Sequence, residues 1–152
     1  MTYLREDLPP ITLNTIDAER LLRLADIARP QLPDAAALLI REVERATVLS
    51  PSQMLPGVIV MGSEVEYRDD ATGQVRTVTL AYPHEADLAA GRISVLTPVG
   101  AALIGLSVSQ SIEWQTPHGE WRSLTVLRVG NPGGETVGNP GGEAAVAKPA
   151  NP

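Results

Sequence analysis

The 152-residue chain has no cysteine and no phenylalanine, a single lysine (Lys148), two histidines and five aromatic side chains, Tyr3, Tyr67, Tyr82, Trp114 and Trp121. Each scarcity removes a class of chemistry. Without cysteine there is no disulfide framework, no thiolate metal site and no Cys nucleophile. With its only lysine near the C-terminal end, the chain has no Gly-x-x-x-x-Gly-Lys phosphate loop. The aromatics are too few and too scattered to stack a single strand or to wall a ligand pocket. A formal charge of −6, with eleven dispersed arginines, opposes free-standing binding to a phosphate backbone. His84 and His118 have no partner at metal-ligand spacing, so both are expected in exposed loops and no metal or other cofactor is expected. No run approaches the roughly 20 apolar residues that cross a bilayer. The N-terminal "MTYLREDLPP" has no apolar signal core, and the expectation is a cytoplasmic protein with no membrane partner.

What is present fits a folded α+β protein of one domain, or a small domain with an appendage: 43% of residues are hydrophobic and 20% charged. Asp17 is placed to cap a helix with apolar positions Leu21, Leu24, Ala25 and Ala28, which Pro30 and Pro33 end. Asp34 caps a second, with Leu39, Ile40, Val43 and Ala46 on one face and Arg41, Glu42, Glu44 and Arg45 on the other. The two predict a short antiparallel hairpin over residues 1–48, a finger of only about 20 Å.

After the Pro-bounded connector Leu49–Gly57 the apolar period changes from 3.6 to 2. Val65 and Tyr67, the turn "DDATG" and the alternation from Val75 to Tyr82 predict a hairpin, and "ISVL" a buried strand. In "TPVGAALIG", Thr97 suits an N-cap, Pro98 the first helical position and Gly105 the left-handed residue past the last turn. "SIEWQ", "TPHG" and "WRSLTVLRV" then predict a final hairpin. Residues 49–129 therefore read as a small antiparallel sheet with one short helix packed on it. "VGNPGGET" followed at once by "VGNPGGEA" is a tandem octapeptide repeat, and Gly and Pro fill ten of the 23 positions in 130–152. That composition predicts a disordered tail.

Motifs for catalysis are weak. "GLSVS" lacks the second glycine of a nucleophile elbow and follows a helix rather than a strand. Glu64 with Glu66, and Asp69 with Asp70, are read as a solvated strand face and a turn.

The segment "TPVGAALIGLSVSQSIEWQTPHGE" resembles the C-terminal signature of bacterial Gre transcript-cleavage factors: Ser/Thr-Pro-x-Gly, a small apolar helix, Gly-x-x-x-Gly-Asp, a strand and a Gly-containing turn. Ser109 and Gln110 stand at the Gly-Asp positions. Upstream, "DAERLLRL", "LSPSQMLPGVIVMGSEVEYRD", "VRTVTLAYPHEAD" and "ISVLTPVGAALIGL" resemble the Rnk-type, Gre-related regulators of nucleoside diphosphate kinase, a likeness covering about Thr12 to Val129. The resemblance implies a helical finger joined to an FKBP-like α+β domain that binds RNA polymerase core near its secondary channel, touching DNA only within that complex, as a monomer. It implies Thr97, Pro98, Val99, Gly100 and Leu103 as candidate polymerase contacts, and Asp26, Arg29 and Asp34 as candidate finger-tip residues. In Gre factors a longer coiled coil carries acidic tip residues that help hold the polymerase magnesium. Three readings follow: a regulator acting by occupancy without catalysis, a cleavage factor using Asp26 or Asp34, and an FKBP-like prolyl isomerase.

Overall fold

Asn14, three residues ahead of the expected cap, opens the first helix, because its side chain accepts the backbone N–H of Asp17 (2.7 Å). The computed structural model describes residues 8–134 and 136–138. Within it, β1 (Thr12–Asn14) leads into α1 (Thr15–Ala28), and α2 (Pro33–Arg45) is followed by β2 (Thr47–Leu49). Pro33 holds the first helical position of α2, and Asp34 makes no capping bond although it lies in the first turn. At 14 and 13 residues the helices are each about 20 Å long, the reach read from the sequence.

The root of this hairpin was not legible in advance. β1 and β2 pair in parallel, Leu13 opposite Val48, and so bring together residues 35 apart in the chain. Glu42, expected on the solvated face, is 3% exposed and pairs with Arg45 (2.8 Å). Arg45 also donates to the Pro9 carbonyl, so the ion pair fastens the N-terminal segment to α2.

The second half of the chain forms a six-stranded sheet. It contains β3 (Glu64–Asp69), β4 (Val75–Ala81), β5 (Arg92–Ser94), β6 (Ser111–Gln115), β7 (Trp121–Gly130) and β8 (Thr136–Gly138), in the order β5-β4-β3-β7-β6 with β8 also on β7. The short helix α3 (Pro98–Leu103) joins β5 to the final hairpin. Alternation works as read for β3: Val65 and Tyr67 are buried, whereas their neighbours are not.

Two expectations need correction. The sheet is not wholly antiparallel, since β5 runs parallel to β4; a crossover through residues 82–91 allows that and leaves no local mark in the sequence. Nor does the tail leave the fold at residue 130. The first repeat copy is itself a turn: Gly134 N–H reaches the Asn131 carbonyl (3.0 Å) and Gly133 has φ +67°. Asn131 is held by the Ser63 hydroxyl and donates to the Val58 carbonyl (3.1 Å). The eight-residue period then pairs Val129 with Val137. Residues 139–152, the remainder of the expected disordered tail, lie outside the described residues.

One core serves both halves. Leu13, Leu21, Leu39 and Val43 from the hairpin are continuous with Ile59, Val65, Leu80, Leu103, Leu124 and Val126 from the sheet and α3. At about 25 cal/mol per Å², this shared burial holds the finger's root against the sheet.

Candidate functional site

Strand β5 ends at Ser94 and α3 begins at Pro98, and the corner between them is closed by side chains. Thr97 Oγ1 accepts the Gly100 N–H (3.0 Å) and donates to the Ser94 carbonyl (2.7 Å), while Ser94 Oγ accepts the Leu96 N–H (3.0 Å). The N-cap at Thr97, the first-position Pro98 and the left-handed Gly105 (φ +84°) are as the sequence predicts.

The five candidate contact residues divide at this corner. Thr97 is exposed, and Pro98 and Val99 are partly exposed. Gly100 is buried, and a Cβ there would stand 2.2 Å from the Ser94 carbonyl oxygen. Leu103 is fully buried in the core. Gly100 and Leu103 therefore cannot touch a partner directly. They belong to the packing that supports the corner, because a six-residue helix on a sheet turns its apolar face inward.

The helix-to-strand turn departs from the Gre pattern in residue type. Ser109 has φ +78°, the left-handed region that glycine enters freely. Gln110 replaces the acidic side chain by accepting the Ser107 N–H (2.8 Å), and its amide donates to the Pro10 carbonyl (3.0 Å).

The finger tip is the turn from Arg29 to Leu32, closed by N–H groups of Gln31 and Leu32 on the Ala28 carbonyl. Asp26, Arg29 and Asp34 all lie exposed around it, with Asp26 3.9 Å from Arg29. Ile27 is 72% exposed and Leu32 50%, apolar features that helical periodicity does not single out. Among the described residues no group of three or more His, Asp or Glu could hold a metal ion. No helix among them is long and apolar enough to cross a membrane.

A cleft of about 560 Å³ lies between α1 and the chain following β4. Asp17, expected as the helix cap, instead sits buried at its floor, where Oδ2 accepts the Met61 N–H (3.0 Å) and the Asn14 side chain (3.3 Å). Burial pushes the Asp17 carboxyl above its ordinary range, against the lowering effect of Met61, Asn14 and nearby Arg20. The Tyr82 phenol is likewise pushed up, first by burial and then by the Asp17 carboxylate, with Arg20 opposing. Tyr82 and His84 present nearly parallel rings, 6.3 Å apart.

Known proteins share this layout. A family described as the C-terminal part of the transcription elongation factors GreA/GreB matches residues 54–131, and one described as the Rnk N-terminus matches residues 9–49. The chain is 42% identical over 122 residues to the regulator of nucleoside diphosphate kinase of Escherichia coli K12, covering 80% of this chain and 89% of the relative. It is 38% identical over 93 residues to the transcription elongation factor GreA of Syntrophobacter fumaroxidans, spanning 61% of this chain and 59% of that one. The solved GreA/GreB transcription elongation factor of Nitrosomonas europaea matches with a TM-score of 0.63 at 34% identity, over 78% of this chain and 98% of that one.

Proposed function

Because the chain belongs to the GreA/GreB transcription elongation factor family, with an Rnk-type N-terminus, we propose that it is a regulator that binds RNA polymerase core at the entrance of the secondary channel. It acts there by occupancy, excluding other factors of the family, and performs no catalysis itself. Residues 1–48 serve as a short finger, and residues 49–129 as an FKBP-like docking domain whose exposed corner at Thr97, Pro98 and Val99 meets the polymerase. The protein works as a monomer in the cytoplasm and touches DNA only through that complex.

The observation carrying this reading is the length of the hairpin. Helices of 14 and 13 residues reach about 20 Å, while a tip that assists magnesium chemistry must travel deep into the enzyme it enters. The tip's character agrees: exposed Ile27 and Leu32 stand beside Asp26, which Arg29 accompanies at 3.9 Å.

The test is transcript cleavage in backtracked polymerase complexes. The protein alone is expected to release no short RNA, and in excess to suppress the cleavage that a Gre factor stimulates. Release of short RNA that disappears on Asp26→Asn or Asp34→Asn would replace occupancy by active cleavage.

A further inference from the structure

The cleft beside α1 joins apolar surface to two arginines, Arg20, which also faces Asp17 and Tyr82, and Arg23, on a chain whose formal charge is −6. Leu24 and Ile27 supply apolar wall from α1, and Met61 and Pro83 supply it from the opposite side. Arg20 and Arg23 lie one helical turn apart and therefore on one face of α1, and exposed His84 stands across from them. Two carboxylates also line the cleft. Asp17 is buried and already accepts two hydrogen bonds, so Glu85 is the acidic group that faces solvent there. Arg23 is 3.4 Å from Glu19, but both are largely exposed. Such an exposed surface pair is weak and yields readily to a partner's carboxylate.

We propose that this cleft is a second docking site for the polymerase, taking an acidic protein segment with an apolar anchor. Its carboxylates meet Arg20 and Arg23, and its apolar side chain enters between Leu24, Ile27, Met61 and Pro83. The size suits that role, because about 560 Å³ falls within the roughly 300–1,000 Å³ of clefts that enclose a specific ligand. The fold also suits it. The two walls come from the finger and from the sheet domain, so a segment seated between them grips both and fixes the finger's direction. This inference rests on the polymerase-binding reading and adds to it a surface separate from the Thr97 corner.

The test compares full-length variants for retention on core RNA polymerase at low and moderate salt. Arg23→Glu and Ile27→Ser alter exposed side chains, so their melting temperatures are expected to match the wild type, and each is expected to weaken retention about 10-fold. Arg76→Glu, on strand β4 away from the cleft, should bind as the wild type. A photo-crosslinker in place of Ile27 should then label a polymerase peptide rich in Asp or Glu. Equal retention of the wild type and both cleft variants overturns the cleft proposal while leaving the polymerase reading intact. A crosslink to RNA or to a basic segment also overturns it, and failure of the wild type to bind overturns both readings.

Discussion

Alanine in place of Gly100 measures how tightly the β5–α3 corner is built. A Cβ at this position would lie 2.2 Å from the Ser94 carbonyl oxygen, 2.9 Å from Val95 Cα and 3.0 Å from the Ser94 carbonyl carbon. All three neighbours are backbone atoms, so no side chain can swing away. Ordinary carbon–oxygen contact needs about 3.3 Å, and the helix start must therefore retreat by about 1 Å. Overpacking of this kind costs about 1–3 kcal/mol. The retreat also pulls the Gly100 N–H away from the Thr97 hydroxyl at 3.0 Å, a cap contributing about 1 kcal/mol. The expected loss is about 3 kcal/mol, which at roughly 4 °C per kcal/mol lowers the melting temperature by about 12 °C. Urea titration should show an earlier midpoint with an unchanged slope. Stability within about 0.5 kcal/mol of the wild type would refute the reasoning, because it would mean the corner has room that the geometry denies.

Ser109→Gly should stabilise the protein by about 1 kcal/mol in the same titration, because the left-handed backbone at φ +78° is costly for a residue with a Cβ; a loss of stability would contradict this. Arg45→Leu should cost about 3 kcal/mol by leaving the buried Glu42 carboxylate with only the more distant Arg41 guanidinium at 3.9 Å, and adding Glu42→Gln should restore part of that loss. For Asp17, burial raises the folded-state pKa above the ordinary 3.8, so the folded chain holds the proton more tightly. That contribution to stability is fully present below 3.8 and is lost as pH rises through the raised value. Asp17→Asn keeps an acceptor for the Met61 N–H and does not ionise, so its stability relative to wild type should rise between about pH 3 and about pH 7; a fall over that interval would refute the assignment.

The parts legible in the sequence were those governed by near neighbours. Thr97, Pro98 and Gly105 define α3 within nine residues, each by a local backbone requirement, and the turns at Asp69–Gly73 and Thr116–Gly119 punctuate their hairpins. Long-range pairing was not legible: β1 with β2, and β5 parallel to β4, join segments whose own patterns hold no record of the partner. The burial of Glu42 depended on Arg45 and Pro9, and helical periodicity alone assigns such a residue to solvent. Asp17 marks the start of α1, but Asn14, three residues earlier, takes the cap and frees the Asp17 carboxylate for Met61. Of the candidate site, the corner's location was readable, whereas the withdrawal of Gly100 and Leu103 from its surface came only with the packing. The cleft left no sequence signal, since its walls come from residues 17–27 and 61–85.

The central claim is occupancy of the polymerase at a site shared with Gre factors, and equilibrium competition tests it most directly. A fluorescently labelled Gre factor bound to core RNA polymerase is titrated with the unlabelled full-length protein. The account predicts complete displacement, with an apparent affinity that falls in proportion to the concentration of the Gre factor. Failure to displace at saturation, or simultaneous binding of both proteins to one polymerase, would contradict it.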